Sequence, residues 1–256
     1  MVQVVVLIHA FPMDCTMWAP VASFLRDAGH TVLTPDLPGF GNSHAWNVEN
    51  YSIEALADHI SSVIMQQAGG QAIVAGCSIG GYILLELLRR HPQCVQGAIF
   101  CNTQASADSP EKAAVRMTVI EDVKKMGIIP LSKTMPEKLL SPRASQQLQA
   151  QVAAAITRQS AYGIMGLQYA MAQRRDQCDL LPQLTMPLLF IAGEDDSITP
   201  PAILRAMADK CTLAPTAELV VIPAAGHLAV LERPDLVGPA IVSFAQSIYG
   251  ISHKIQ

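Results

Sequence analysis

Six short runs of apolar, largely β-branched residues recur along this chain, each close to continuously apolar rather than alternating with polar positions. They span residues 2–8, 31–35, 72–75, 95–100, 188–192 and 219–222. A strand that is apolar at every position buries both of its faces, as strands do in a parallel sheet covered by helices. Between the runs lie amphipathic stretches at 17–28, 52–67, 80–90, 201–210 and 234–249. This repetition predicts an α/β fold: a mainly parallel sheet of about six strands with helices on both faces. At 256 residues the chain is long enough for one such core without disulfide or metal staples.

One interval breaks the alternation. From 103 to 184 the pattern is wholly helical, with helices expected near 110–125, 143–159 and 161–175, and with Pro130, Pro136, Pro142 and Pro182 marking the joints. Residues 103–184 are therefore expected to be an inserted helical cap, and residues 1–102 and 185–256 the core. The charges agree. The interval carries ten of the seventeen Lys and Arg and is net +3, which leaves −7 on the rest.

Composition narrows the function classes. Charged residues are 15% of the chain, against a usual ~25%, and half the residues are hydrophobic, which excludes intrinsic disorder. A net charge of −4 with no block of like charges argues against nucleic-acid binding. Residues 59–85 contain no Asp, Glu, Lys or Arg, but Gln66, Gln67, Gly69, Gly70 and Gln71 interrupt the stretch, so no membrane span is expected. No basic segment precedes the first apolar run, so no signal peptide is read there. Six scattered cysteines without a C-x-x-C pair fit free thiols in a reducing compartment, and a cytoplasmic protein is the expectation.

Gly76-Cys77-Ser78-Ile79-Gly80-Gly81 follows one predicted strand directly and precedes a predicted helix. This is a G-x-S-x-G elbow, in which the serine sits on a sharp strand-to-helix turn and glycines flank it because side chains there would strike neighbouring backbone. A serine hydroxyl needs a base to take its proton, and the base needs a carboxylate to hold it, here in the chain order Ser, acid, His. Gly226-His227 follows the last predicted strand, which makes His227 the candidate base. Gly193-Glu194-Asp195-Asp196 follows the strand before it, which makes Asp196 the candidate acid and Asp195 its rival. All these positions lie at carboxyl ends of strands, where α/β sheets place their sites. Asp36 is expected to fix the turn around Gly39–Gly41, and His9 to order its own loop. No metal-ligand spacing and no phosphate or dinucleotide loop occurs, so no metal and no cofactor are expected.

The chain resembles α/β-hydrolase fold enzymes of the carboxylesterase and 3-oxoadipate enol-lactonase type. The matching pieces are His9-Ala10-Phe11-Pro12, Asp36-Leu37-Pro38-Gly39-Phe40-Gly41-Asn42-Ser43, the serine elbow, Gly-x-x-Asp-x-x-x-Pro at 193–200, Gly226-His227, and Glu232-Arg233-Pro234. Two departures stand out. The family's usual His-Gly is His9-Ala10 here, and the family's first two strands are absent, since the chain begins on the strand leading into His9. The resemblance implies an oxyanion hole built from the backbone N–H groups of Phe11 and Ile79. It also implies a cofactor-free serine hydrolase that cleaves small carboxylic esters through an acyl-enzyme.

Other reactions use the same residues: a lactonase, a C–C hydrolase or a perhydrolase. C–C hydrolases usually have Asn before the nucleophile, where this chain has Cys77. A reading from another class is a small-molecule receptor that retains the triad, which ester turnover distinguishes. Met165 and Leu228 are expected to line the substrate pocket, with Met171 a further candidate. Short acyl esters are expected to be preferred, because no extended apolar tract for a tail is evident. Arg143, Arg158, Arg174 and Arg175 read first as a solvated helix face, with a carboxylate-bearing substrate as the alternative they offer. The expected partner is a small-molecule ester, with no nucleic acid and no membrane, and the sequence carries no signal for oligomeric state.

Overall fold

In the computed structural model, which describes residues 3–252, the six apolar runs form six strands. They are β1 (Val4–Ile8), β2 (Thr31–Leu33), β3 (Ala72–Cys77), β4 (Val95–Cys101), β5 (Leu188–Gly193) and β6 (Ala217–Ile222). All pair in parallel, in the order β2-β1-β3-β4-β5-β6. Val2, the first residue of the predicted run, lies outside the described residues.

Because successive side chains of a strand point to opposite faces, the continuous apolar runs give the sheet two cores. Val6, Ile8, Val74, Phe100 and Phe190 pack with α2 (Ile53–Gln67), α3 (Ile79–Arg90) and α8 (Pro201–Lys210). Val5, Leu7, Ile73, Ile99 and Ile191 pack on the other face with α1 (Ala19–Asp27) and α10 (Pro234–Ser252). A single buried side chain of this kind is worth about 1.5–3 kcal/mol. The Ser52 hydroxyl caps α2 by accepting from the Ala55 N–H at 3.0 Å. Among the described residues, no helix is long and apolar enough to cross a membrane.

The chain leaves β1 toward β2 and then returns to place β3 on the other side of β1. This reversal opens a crevice beyond the carboxyl ends of β1 and β3, where Phe11 and Ser78 follow the two strands. Between β4 and β5 run α4 (Pro110–Met126), α5 (Ile129–Leu139), α6 (Gln146–Thr157) and α7 (Ala161–Gln173). The sequence predicted three helices here, and α5 was not among them. Pro130 and Pro136 read as breakers. Pro130 occupies the first turn of α5, where its missing N–H is no loss, and Pro136 is accommodated inside the helix, close to its end. α4 packs on α7 and α5 on α6, so the four helices form two pairs. A four-residue helix, α9 (Ala229–Glu232), connects the loop after β6 to α10.

Candidate active site

The turn after β3 is built by close approaches that only glycine permits. A Cβ on Gly76 would lie 2.2 Å from the Gly80 carbonyl oxygen, and one on Gly80 would lie 2.5 Å from the Ile8 carbonyl oxygen. Ser78 between them has φ 54° and ψ −114°, a backbone conformation that costs an L-residue of order 1–3 kcal/mol. The turn is held on both sides. The Ser78 N–H donates to the Cys101 carbonyl at 2.9 Å, and the Thr103 hydroxyl donates to the Ser78 carbonyl at 2.7 Å.

Three predicted residues from separate loops meet here. His227 Nε2 lies 2.8 Å from Ser78 Oγ, and His227 Nδ1 lies 2.9 Å from Asp196 Oδ2. A carboxylate only accepts, so Nδ1 carries the proton and Nε2 is left to accept from the serine hydroxyl. Ser78, His227 and Asp196 are all buried.

The Asp196 carboxylate accepts from five donors. Oδ1 takes the backbone N–H of Ile198 (2.8 Å) and of Thr199 (3.0 Å). Oδ2 takes the Thr199 hydroxyl (2.6 Å), Asn102 Nδ2 (2.9 Å) and the imidazole. Burial pushes its carboxyl up, but the hydrogen bonds from His227 and Thr199 outweigh burial and hold it well below the usual carboxylate range. Asp195 is directed elsewhere. Its Oδ2 accepts from the Ser141 hydroxyl at 2.7 Å and faces Arg143 at 3.7 Å.

The sequence reading missed several supports. Asn102, at φ 45°, donates both to Asp196 and to the Gly226 carbonyl (3.2 Å), tying the acid to the histidine loop. Its signal was a polar pair, Asn102-Thr103, directly after a buried strand. Glu232 accepts from the Gly226 N–H (2.7 Å) and the Ser141 N–H (2.8 Å), so it fixes the residue before His227 against the carboxyl end of α5. Burial raises the Glu232 carboxyl above its ordinary value.

The N–H groups of Phe11 and Ile79, at the ends of two neighbouring strands, have no hydrogen-bond partner among the described residues. Ile79 opens α3, where N–H groups are unpaired by construction and the helix dipole favours negative charge. His9 is fully buried. The Leu37 N–H donates to its Nε2 at 2.9 Å and its Nδ1 faces the Ala10 carbonyl at 3.1 Å, an arrangement only the neutral ring satisfies. Burial lowers its pKa in agreement. Asp36 accepts from the N–H groups of Cys15 (2.8 Å) and Asn42 (3.0 Å), pinning the glycine turn. Burial pushes the Cys77 thiol well up, so it packs as an unreactive neighbour of the serine.

A cavity of about 640 Å3 opens onto Ser78, His227 and Phe11. Met171 and Gln168 of α7 line it. Met165 is buried in the core, and Leu228 is fully buried with its N–H on the Leu139 carbonyl (3.1 Å), so neither predicted pocket residue reaches the cavity wall. Arg143, Arg158, Arg174 and Arg175 do not line it either. Each faces an acid instead: Asp195 (3.7 Å), Asp14 (3.3 Å), Asp108 (2.9 Å) and Glu54 (3.2 Å) respectively. The motivation for a carboxylate preference through these four arginines falls with that pairing. Among the described residues, no group of three or more His, Cys, Asp or Glu is gathered to hold a metal.

This elbow on a parallel sheet, with a histidine and an acid delivered from later strand ends, belongs to a known class. The sequence matches the alpha/beta hydrolase fold family over residues 3–234, and the chain is a member of that family. Among solved structures it is similar to a malate-bound thermophilic esterase from Thermogutta terrifontis, at 33% identity and a TM-score of 0.90, covering 96% of this chain and 90% of that one. It is also similar to the enol-lactonase of Burkholderia xenovorans (25% identity, TM-score 0.85, 96% and 92% covered). Among curated proteins, a pimeloyl-[acyl-carrier protein] methyl ester esterase of Aromatoleum aromaticum is 26% identical over 243 residues, 90% of this chain and 93% of that protein. Hydrolase activity is supported by this membership and these esterase relatives.

Proposed function

We propose that the chain is a serine hydrolase of small carboxylic esters, acting through an acyl-enzyme on Ser78. The observation that carries this reading is the unbroken hydrogen-bond path from Ser78 Oγ through His227 to Asp196 at the floor of an open cavity. Ser78 Oγ attacks the ester carbonyl while His227 Nε2 takes its proton, and the resulting oxyanion is met by the N–H groups of Phe11 and Ile79. One such donor is typically worth ~2.7–4 kcal/mol of transition-state stabilisation. The C–O bond breaks, His227 returns the proton to the leaving alcohol, and Ser78 is left acylated. Water, deprotonated by His227, then releases the acid. Asp196 stays ionised throughout and holds the imidazole tautomer, with Asn102 and Thr199 as its positioning residues.

In this reading residues 103–184 act as a cap over the core formed by 1–102 and 185–256, since α4 and α5 supply most of the cavity wall. Six free cysteines support a reducing, cytoplasmic setting. Similarity to an enol-lactonase supports a second reading, lactone hydrolysis on the same residues. The test is a panel of p-nitrophenyl esters and simple lactones with Ser78→Ala as control. Ester turnover that falls at least about a thousandfold in Ser78→Ala is expected. A variant retaining about a tenth of the activity overturns the nucleophile.

A further inference from the structure

The amphipathicity expected of a surface helix is missing from α4, and the reason lies in the cavity. Ile120 and Val123 are buried, while Val115, at 63% exposed, and Met126, at 56%, remain open to solvent although both line the cavity. One apolar set packs on α7 and a second, with Val119 and Val123, faces the space in front of Ser78. α5 presents Leu131, Met135 and Leu139 to the same space. The charged and polar lining groups of α4 and α5, Lys112, Asp122, Thr134 and Lys138, are exposed, and Arg116 is engaged with Asp108 and Gln168. The side of the cavity formed by α4 and α5 is apolar with a polar lip, while Gln104, Asp108 and Gln168 make the opposite side polar.

Only Gly127 and Ile128 join the two helices, which pack on α7 and α6 rather than on each other, and the side chains they turn toward the cavity make it a trough between them. The Leu139 carbonyl accepts from the N–H of Leu228, the residue after His227, so the carboxyl end of α5 stands beside the histidine. The α4–α5 turn lies about 15 Å further along α5, at ~1.5 Å per residue, and closes the far end. From Val119 to Met126, α4 advances about 10 Å, the length of an extended chain of about eight carbons. The volume holds about twenty water-sized groups at ~30 Å3 each, several times what an acetyl ester fills.

We propose that this trough is an acyl site and that the substrate is an ester of a medium-chain apolar acid, of about six to ten carbons. The proposal rests on the serine-hydrolase reading and reverses the short-acyl expectation drawn from sequence. The chain lies with its carbonyl at Ser78, passes Met135, Leu131 and Val119, and ends near Met126 and Pro130.

The experiment is a chain-length series of p-nitrophenyl esters from C2 to C10 on the wild type and on Val119→Trp and Leu131→Trp, which fill the trough. In the wild type kcat/KM rises about two- to fourfold per methylene and peaks between C6 and C10. In folded tryptophan variants, checked by circular dichroism and Tm, the C8/C2 ratio falls about tenfold or more. A wild-type optimum at C2–C4, or folded variants with an unchanged ratio, overturns the proposal. Calorimetric titration with octanoate separates the two readings. Octanoate binding that weakens in Leu131→Trp supports the acyl site even if no ester is turned over, and absence of octanoate binding to the wild type overturns it even if acetate esters are hydrolysed.

Discussion

Replacing Asp196 by Asn exchanges one carboxylate oxygen for a nitrogen that donates, in a site where five donors already converge. The nitrogen cannot settle at Oδ1, because the N–H groups of Ile198 and Thr199 there are fixed by the backbone. It is driven to the Oδ2 side, where the Thr199 hydroxyl can rotate and accept. Asn102 Nδ2 then loses its acceptor, at a cost of about 1–3 kcal/mol in stability. His227 must turn Nδ1 into an acceptor, which puts the ring proton on Nε2, facing Ser78. A protonated Nε2 cannot take the serine proton, so kcat should fall about 10⁴-fold, the loss the same exchange causes in a serine protease triad, or about 5.5 kcal/mol at 1.36 kcal/mol per decade. The assay is steady-state kcat on one p-nitrophenyl ester for the wild type, Asp196→Asn and Asp195→Asn, with Tm measured alongside. Asp195 points to Ser141, so its variant should lose less than about tenfold. An Asp196→Asn enzyme that keeps a tenth of wild-type kcat, or an Asp195→Asn enzyme that is the poorer of the two, refutes this reasoning.

Asp196 also predicts a pH dependence of stability. Its folded pKa lies below the ordinary ~3.9, so its contribution is complete above that value and is lost as pH falls toward the folded pKa. Urea titrations between pH 3 and 7 should therefore show a shallower acid decline for Asp196→Asn than for the wild type, and parallel curves would contradict it. Ser78→Gly should abolish turnover yet raise stability by about 1 kcal/mol, because glycine adopts φ 54° without strain; a lower Tm would argue against stored strain at the elbow. Gly80→Ala should destabilise the chain by several kcal/mol or prevent folding, since its Cβ would meet the Ile8 carbonyl at 2.5 Å; a wild-type Tm would contradict that. Glu232→Gln leaves one oxygen to serve the N–H groups of both Gly226 and Ser141, and should cost about 1–2 kcal/mol by denaturant melt; a change below a few tenths would show that the carboxylate is not needed there.

What the sequence made legible is what local chemistry dictates. A strand apolar at every position has to be buried on both faces, so the parallel sheet and its two cores followed from six short runs. The elbow was legible because Gly76 and Gly80 answer to backbone within a few residues, or in the next strand. Asp196 and Asp195 are adjacent, and the Gly-x-x-Asp-x-x-x-Pro spacing favoured Asp196 with Asp195 as its rival; the contacts that set them apart, with Asn102 and Ser141, lie 94 and 54 positions away in the chain. α5 was hidden because a proline in a first helical turn reads the same as a breaker in a loop. The acyl trough was hidden for a related reason. The apolar residues of α4 serve two neighbours on different sides, so no single periodic stripe marks them. Met165 and Met171 share one helix and are both buried in the same core, and only the placement of that helix over the site decides that Met171 rather than Met165 lines the cavity.

The proposed reaction depends above all on Ser78 being a nucleophile activated by His227. It is tested most directly by treating the protein with a p-nitrophenyl phosphonate and locating the adduct by intact-mass measurement and peptide mapping. One stoichiometric phosphonyl group on Ser78 is expected, with release of one equivalent of p-nitrophenol, parallel loss of esterase activity, and no labelling of Ser78→Ala or His227→Ala. An adduct on another residue, or full activity after Ser78 is labelled, would contradict it.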